Sequence, residues 1–406
     1  MTQAQKWQAY LETLKQPFIK LCKLEFLHPG GATMFVLDGS AKRGKAFIQS
    51  GNLTCNLQNG MRRQANITLE NMNHDYDFSV GKLWFGQQVR LWEGLQLPSG
   101  EDFYLPQGVF YISEPQETWS ANQREIQLNL VDKWAMLDGT LGGGLEGTYE
   151  VPVGSNIFEA MESLLLQDKG NGIVYDKLPP VFTDYYTQSQ LESPYTYRCD
   201  SESGTIAEII LGLNEMICGW VGYDCTGRLR IDASQDDILD TTKPVVHSFR
   251  ADDTSLTAAT YTHNTGDMYN DVVIRGEALG TDPQANGRAT NNDPKSDTNV
   301  RLIGRKTLLE DKSGYYTNQM CEWYAEWKLK RATVLQKSVT LTCSQLFHLQ
   351  ENNLINVLRT DKEGKPVERH LVQGFSRPIA QQGSMTITAT SVNDFPIATI
   401  VTDSFT

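Results

Sequence analysis

The strongest constraint on the fold is an alternation of apolar and polar residues that persists from about residue 18 to residue 139. Two runs, Leu53–Leu57 and Ala65–Leu69, place apolar side chains at every second position, and Asn59-Gly60 between them is a strong turn signal. A third run covers Ile126–Leu130. Short half-buried strands joined by Gly, Pro and Asn turns are typical of a β-barrel or β-sandwich. We therefore predict a first β domain over residues 18–145.

The middle of the chain, residues 146–244, changes to a helical period. The glycine-rich joint Leu141–Leu145 precedes it and lacks the spacings of a phosphate-binding loop, so we interpret it as a hinge. Apolar residues recur at helical spacing over 157–164 and 206–213, and Asp224–Gly227 reads as the turn of a following hairpin. This section is predicted to be a helix-plus-hairpin insert.

Strand patterns return over residues 245–406, which we predict to be a second β domain. Residues 279–299 consist mostly of Gly, Asp, Asn, Pro, Thr and Ser, which predicts a mobile loop. Asp293–Asp297 lacks the spacing of a calcium loop, so no calcium site is predicted there. An aromatic stripe predicts a helix over 315–333. The fold class that follows is α+β, mainly β.

The first 17 residues predict an amphipathic helix. Trp7, Tyr10, Leu11 and Leu14 fall on one face, and Pro17 ends the element. Such a helix either packs on its own domain or docks on a neighbouring subunit. These four residues are therefore our candidates for a contact with a subunit or a partner.

The charge balance argues against a protein that grips DNA. The chain carries 36 Lys and Arg against 49 Asp and Glu, a net charge of −13. Binding to phosphates needs a basic face, whereas Lys42-Arg43 and Arg62-Arg63 stand as isolated pairs. The acidic balance leaves open the hypothesis that DNA passes near the protein without adhering to it.

No membrane anchor and no secretion signal are predicted, because the sequence has no apolar run of about 18 residues and its first residues lack an apolar core. We therefore expect synthesis and assembly in the cytoplasm. Seven cysteines without a C-x-x-C pair predict free thiols. The six histidines are scattered, so neither a metal site nor a cofactor is predicted.

A search for catalytic residues predicts none. The sequence has no G-x-S-x-G, H-E-x-x-H or S-x-x-K motif. Two carboxylate clusters, Asp236/Asp237/Asp240 and Asp252/Asp253, lie in polar turns, which is typical of solvated loops. Glycoside hydrolysis needs two carboxylates at a defined separation, and adjacency in sequence does not supply it. We predict that the protein is not an enzyme and has a binding or assembly role.

Three stretches resemble the hub proteins at the tail tip or baseplate of tailed bacteriophages, including the N-terminal hub part of tail-associated lysins. The first is Tyr104–Ile112 with Ile126–Asp132 and Met136–Asp138, which looks like that family's closing hairpin. The second, Gly204–Ile231, resembles its helix-then-hairpin insert. The third runs from the strand Asn270–Gly276 through the 315–333 helix to strands that end near Ser391.

The resemblance implies a mechanical role in the virion. In that family, two tube-protein-like β-barrel domains per subunit form a homotrimeric ring with pseudo-sixfold symmetry. The ring joins a distal tail protein or tail tube ring to the tip and surrounds the channel for DNA and the tape-measure protein. Expected partners are therefore other copies of this chain, the distal tail protein or tube ring, the C-terminus of the tape-measure protein, and tail-tip fibres or receptor-binding proteins.

Two alternatives stay open at this stage. One is a carbohydrate-binding or glycoside-hydrolysing β protein, since eight Trp and sixteen Tyr residues are enough to line a sugar groove. The other is the hub of a phage-tail-like bacteriocin or secretion particle, which the sequence does not separate from a phage hub.

Overall fold

The protein is described from a computed structural model of the 406-residue chain. The structure describes residues 1–28, 31–39, 48–72, 74, 76–79, 83–121, 123–168, 174–183, 187–200, 204–233, 243–249, 255–263, 268–278, 280–334, 337–392 and 398–400. Within these ranges the chain is mainly β, with large antiparallel sheets, which confirms the predicted class in its coarse form. No helix of the described residues is long and apolar enough to cross a bilayer.

The first part of the chain forms one helix and seven strands. Helix α1 is Gln3–Thr13, and the strands are β1 Lys20–Leu27, β2 Thr33–Asp38, β3 Ile48–Asn56, β4 Arg63–Glu70, β5 Gln88–Gln96, β6 Asp102–Ser120 and β7 Gln123–Asp132. Inward positions of β4 are buried and the alternate positions are open, as the period of two predicts. A 3-10 turn, Lys133–Met136, begins the connection to the next section.

The insert contains helices and short strands. Its elements are β8 Tyr149–Val151, α2 Ile157–Leu166, β9 Val181–Phe182, α3 Gln188–Leu191, β10 Tyr197–Cys199, α4 Ile206–Met216, β11 Gly219–Tyr223 and β12 Leu229–Ala233. The side chain of Thr205 accepts from Glu208 N, and the side chain of Glu208 accepts from Thr205 N, so a capping box begins α4. β11 and β12 form the hairpin that the sequence predicts.

The last part forms ten strands and two helices. Its elements are β13 Val245–Phe249, β14 Leu256–His263, β15 Asp271–Arg275, β16 Asn286–Asn291, α5 Val300–Ile303, β17 Thr307–Asp311, α6 Asn318–Val334, β18 Lys337–Cys343, β19 Leu354–Leu358, β20 Val367–Pro378, β21 Met385–Ser391 and β22 Ala398–Ile400. α6 packs on a sheet of β17, β15, β16 and β22.

Strands from the first and last parts join in one sheet. Among the described residues it has 13 strands, and its main path runs β14–β18–β21–β20–β3–β4–β7–β6–β5–β1–β2. The join is the antiparallel pair β20–β3, in which Phe375 lies opposite Cys55. β19 pairs with the first half of β20, and β13 pairs with β19. Residues from the two ends of the sequence therefore share one hydrogen-bonded surface.

Three main apolar cores match this organisation. The largest lies under the 13-stranded sheet and takes residues from both ends of the chain, such as Leu53, Leu128 and Ile387. The insert has its own core around α2 and α4. A third core, around Val272, Ala289 and Trp327, lies between α6 and the sheet of β15 to β17.

The predicted mobile loop over 279–299 needs correction. The structure instead has a strand at Asn286–Asn291, whose Ala289, Thr290 and Asn291 are buried. The composition suggested a loop because polar side chains usually bind water, whereas here they form hydrogen bonds with one another. Asn291 donates to the hydroxyls of Ser296 and Thr298 at 2.9 and 2.8 Å, which replaces the water that such residues normally bind.

Candidate assembly surface

A buried ion cluster fixes the first part of the chain against the last. Arg377 on β20 donates from Nε to Glu93 Oε2 on β5 across 2.9 Å, and Lys20 Nζ lies 3.0 Å from Glu93 Oε1. All three side chains are buried. Burial alone raises the pKa of the Glu93 carboxyl, but the charges of Arg377 and Lys20 outweigh it and lower that pKa below its ordinary value. Glu93 therefore stays ionised and paired.

A second buried cluster lies beside it. Arg63 on β4 pairs with Glu351, and its Nη1 donates to Gln107 O at 3.0 Å. The Cys55 thiol donates to Glu351 Oε2 at 3.1 Å, and burial raises its pKa well above the ordinary value. Gln107 links the two clusters, because its side-chain oxygen accepts from Arg377. Together they join strands from the first and last parts of the chain through buried polar contacts.

Arg62-Arg63, an isolated basic pair in the sequence, is part of this buried structure. Both residues are buried, with 3% and 1% of their surface exposed. Their backbone N–H groups donate to Asp132 Oδ2 at 2.8 and 2.9 Å. Burial raises the pKa of Asp132 to about 6, although these donors oppose the rise. The sequence carries no local signal for this role, since Asp132 lies 70 residues from Arg62 and Glu351 lies 288 residues from Arg63.

A similar buried contact anchors the insert. Lys133 Nζ lies 2.6 Å from Asp176 Oδ1 and donates to Gly227 O at 2.9 Å. The hydroxyl of Tyr223 donates to Asp176 Oδ2 at 2.9 Å. Because burying unpaired charges is costly, these contacts define one orientation of the insert relative to β7.

On the open face of the large sheet, three rows of paired residues in the described strands are uncharged, one across eight adjacent strands and two across four. The pairing register places the following residues in one row from β14 to β6: Ala258, Thr342, Thr386, Ser376, Thr54, Gln64, Val131 and Tyr111. A second row, Asn52–Asn66–Asn129–Ser113, and a third, Ser50–Thr68–Gln127–Gln116, are equally neutral. Charged residues lie nearby, with Glu114 at the irregularity between Ser113 and Gln116 and with Glu70 and Glu125 in the next row. We call these three rows the neutral face.

The neutral face is hydrophilic although it lacks charge. Asn52 Nδ2 donates to Ser376 Oγ at 3.0 Å and to Thr54 Oγ1 at 3.1 Å, which joins β3 to β20 side by side. Hydroxyl and amide groups stay hydrated on such a face, whereas the opposite face packs on the largest core. The arrangement gives a smooth surface that offers no cation to a phosphate.

Within the described part of the chain, the main path of the same sheet ends at two strands that have a neighbour on one side only, β2 and β14. β13, which lies off this path and pairs with β19 alone, is a third edge strand. Val36 on β2 is 48% exposed, and Thr257–Thr260 on β14 are exposed. Unpaired edge strands offer free N–H and C=O groups, which are templates for pairing with another chain.

The four N-terminal candidate residues differ in burial in the structure. Tyr10 and Leu14 are buried in the largest core, and Leu11 packs against it. The Tyr10 hydroxyl accepts from Phe347 N at 3.2 Å and lies 2.9 Å from His348 Nδ1. Trp7 contacts the rings of Phe103 and His348 but remains 37% exposed. Tyr10 and Leu14 therefore hold α1 on its own chain, and Trp7 is the member that retains an open surface.

The structure leaves the carboxylate candidates for catalysis untested. Asp236, Asp237, Asp240, Asp252 and Asp253 lie outside the described residues. The seven cysteines are free thiols in the structure. Within the described ranges, no group of three or more His, Cys, Asp or Glu side chains is placed to hold a metal ion. A cavity of about 300 Å³ between β4, the insert hairpin and residues 350–353 is lined by Arg63 and Glu351, whose charges pair with each other.

A chain in which two strand-rich parts share one large sheet, with a helical insert between them in sequence, has a known class of fold. Solved structures with this fold include bacteriophage tail proteins. The tail protein from Neisseria meningitidis MC58 superposes with a TM-score of 0.61 at 10% identity, covering 92% of this chain and 97% of that one. The 43 kDa tail protein of prophage MuSo2 from Shewanella oneidensis also gives 0.61, at 13% identity, covering 91% and 98%.

A component of the type VI secretion system from Escherichia coli, itself described as similar to tail proteins of bacteriophage T4, gives a TM-score of 0.51 at 10% identity and covers 86% of this chain and 73% of that one. No family model matches the sequence, and no curated protein matches it significantly. The predicted resemblance to phage tail and baseplate proteins is confirmed at the level of the fold.

Proposed function

We propose that this protein is the structural hub of a phage tail tip, in which three copies close a pseudo-sixfold ring around the channel for DNA and the tape-measure protein. The observation that carries the proposal is the 13-stranded sheet, whose main path ends at β2 and at β14, each with one neighbour among the described strands. Pairing of β2 in one copy with β14 in the next is a head-to-tail contact, and such contacts form rings when the rotation closes. Closure also covers edges that otherwise invite aggregation.

In the proposed ring, each part of the chain has its own position. The strands of 18–145 and 245–406 act as two tube-like domains, so three copies present six similar units to a sixfold distal tail protein or tube ring. The insert over 146–244 lies between them. Tail-tip fibres or receptor-binding proteins attach on the threefold side. The role is structural and not catalytic, and the protein is located at the tail tip of the virion.

The neutral face is our candidate for the channel wall. DNA adheres to proteins mainly through Lys and Arg contacts with phosphates. A wall of Thr, Asn, Ser and Gln offers no such contact, so DNA passes without being held. This revises the hypothesis drawn from net charge, in which acidic side chains repel the DNA: on this face the charges are missing rather than negative.

The experiment is mass photometry of the purified chain over a range of concentrations, combined with labelling of the protein in imaged particles. We expect trimers and a label at the tail tip. Val36→Lys, on the free edge of β2, should reduce trimer formation, because edge lysines oppose pairing. Val367→Lys is the matched control, since Val367 is 56% exposed and lies on β20, inside the sheet. Monomers under all conditions, or equal effects of both variants, would contradict the proposal.

A second candidate is the hub of a secretion particle of the phage-tail type. The likeness to the Escherichia coli type VI component favours it. Particle imaging distinguishes the two candidates, because only the phage tail-tip hub places the label on a DNA-containing virion.

A further inference from the structure

The segment Val300–Lys306 stands out on an acidic protein. It carries three cations, Arg301, Arg305 and Lys306, and no acidic residue. Two of its three apolar residues are exposed, Leu302 at 70% and Ile303 at 47%. We call it the basic segment. A surface with both cationic and apolar groups is typical of a contact with an acidic partner.

The basic segment is held in a defined shape. The buried Asn270 donates from Nδ2 to Gly304 O at 2.7 Å, and its Oδ1 accepts from Lys306 N at 2.7 Å. A contact surface that is ordered in advance loses less conformational entropy on binding. The exposure of Leu302 and Ile303 is thus a feature of an ordered turn.

The two arginines of the basic segment are only weakly compensated, whereas Lys306 Nζ lies 5.4 Å from the centre of the Tyr269 ring. Arg305 Nε is 3.9 Å from Asp271 Oδ2, at the limit of an ion pair. That carboxylate already accepts shorter bonds from Arg288 at 2.9 Å and from the hydroxyl of Thr307 at 2.6 Å. The Arg301 side chain is exposed. Positive charge is therefore available to a partner.

A complementary surface lies elsewhere on the same chain. The outer part of β6, Glu114–Ser120, pairs with the start of β7 beyond an irregularity between Ser113 and Gln116. Almost all of it is exposed, and we call it the ribbon end. It carries Glu114, Glu117 and Trp119, and the Trp119 ring is 69% exposed with the Arg124 guanidinium 5.9 Å from its centre.

We propose that the ribbon end of one copy docks on the basic segment of the next copy. Glu114 and Glu117 then face Arg301, Arg305 and Lys306, while Trp119 covers Leu302 and Ile303. Exposed Trp side chains and charge pairs around them are what interfaces use for affinity and orientation. The contact rests on the proposed ring of copies and adds a second point of attachment to the pairing of sheet edges.

The first test is charge reversal with exchange. Arg301→Glu/Arg305→Glu in all copies should raise the dissociation constant of the trimer about tenfold at low salt, and Glu114→Lys/Glu117→Lys should do the same. A mixture of the two variants should recover part of the loss, because in a mixed trimer opposite charges meet again at two of the three contacts. Arg198→Glu is the control, since that side chain is 62% exposed and outside both surfaces. Recovery supports the contact, and equal weakening by the control overturns it.

The second test is a cysteine crosslink between copies. Copies with Trp119→Cys and copies with Leu302→Cys, each with the two half-buried native thiols changed by Cys199→Ser/Cys225→Ser, are mixed and treated with a short bismaleimide. We expect a heterotypic crosslink, which neither variant forms alone. Trimers without this crosslink would overturn the contact and leave the proposed hub intact. A chain that stays monomeric at every concentration would overturn both.

Discussion

Arg377 and Glu93 form an ion pair that is completely buried, with Nε donating to Oε2 across 2.9 Å between strands that lie 284 residues apart in sequence. The pair joins β20 to β5, and Lys20 supports it from β1. Buried ion pairs add little net stability relative to apolar residues, but they penalise any arrangement that separates the partners. In this protein, the ion pair therefore opposes separation of the two strand-rich parts of the chain.

Removing the acid of this pair should be strongly destabilising. Glu93→Leu leaves the cations of Lys20 and Arg377 buried without their counterion, and we expect a loss of about 3–5 kcal/mol in the free energy of unfolding. Chemical denaturation followed by fluorescence measures it. Arg275→Met breaks the Arg275–Asp311 pair, whose side chains are 45% and 70% exposed, and should cost below about 1 kcal/mol. Similar losses in both variants would contradict the role of the buried cluster.

Acidification should destabilise the protein through its buried histidines. Burial, with help from the nearby His247 and Arg377, lowers the pKa of His348 to about 3. Burial also lowers the pKa of His370 to about 4, although Glu368 opposes this. Above about pH 6.5 these groups are neutral in both states and have no effect. As the pH falls below that value, the unfolded chain takes up protons first, so stability declines down to about pH 3 to 4.

At pH 5, His348 should lower the free energy of unfolding by about 2 kcal/mol, because the pKa of the unfolded group lies about 1.5 units above that pH. The melting temperature measured between about pH 7 and pH 5 checks it. In His348→Asn, an amide oxygen replaces Nδ1 as the acceptor for Tyr10, and the slope should become shallower. An unchanged slope would show that His348 does not titrate in this range.

Loss of the Tyr10 hydroxyl should loosen the N-terminal helix. Tyr10→Phe removes the acceptor for Phe347 N and the partner of His348 Nδ1, which leaves two buried polar groups unsatisfied. We expect a cost of about 1–3 kcal/mol and faster hydrogen exchange in α1. Lys6→Met, which breaks the partly exposed pair with Glu101, serves as the comparison and should leave exchange in α1 nearly unchanged.

A methyl group on Gly287 should disturb the packing of α6. A Cβ there would lie 2.1 Å from Glu322 N and 2.2 Å from Cys321 C, so the helix must move away from β16. We expect Gly287→Ala to cost at least about 1–3 kcal/mol, seen as a lower denaturation midpoint. Gly144→Ala meets open space at an ordinary backbone angle and should be tolerated. A tolerated Gly287→Ala would mean that the helix is less closely docked.

Cations on the neutral face should create affinity for DNA. Thr54→Lys/Gln64→Lys places two positive charges side by side in its first row, since these residues pair across β3 and β4. The variant should retain duplex DNA in a salt-dependent manner, and particles that carry it should release DNA more slowly. Ser99→Lys/Thr148→Lys adds the same charge at exposed positions outside that face. If both variants release DNA alike, the neutral face is not the channel wall.

The amino-acid sequence by itself determined the local elements. Alternation at Ala65–Leu69 predicted β4, the helical spacing of Ile206–Leu213 predicted α4, and Asn59-Gly60 predicted a turn before β4. These features depend on residues close in sequence, so periodicity is enough to find them. The same reasoning predicted the four residues of α1 on one face, but did not establish which of them remain open.

Only the tertiary structure decided which distant residues meet. Arg62-Arg63 stands as an isolated basic pair in the sequence, because its partners Gln350 and Glu351 are remote in the chain. The segment around Asn291 was predicted to be a loop, because its composition does not show that its polar side chains bond to one another. The neutral face was equally hidden, since each Thr or Asn is an ordinary outward residue of its own strand. Eight strands in one register place them side by side, and that register is set by packing and hydrogen bonds between remote segments.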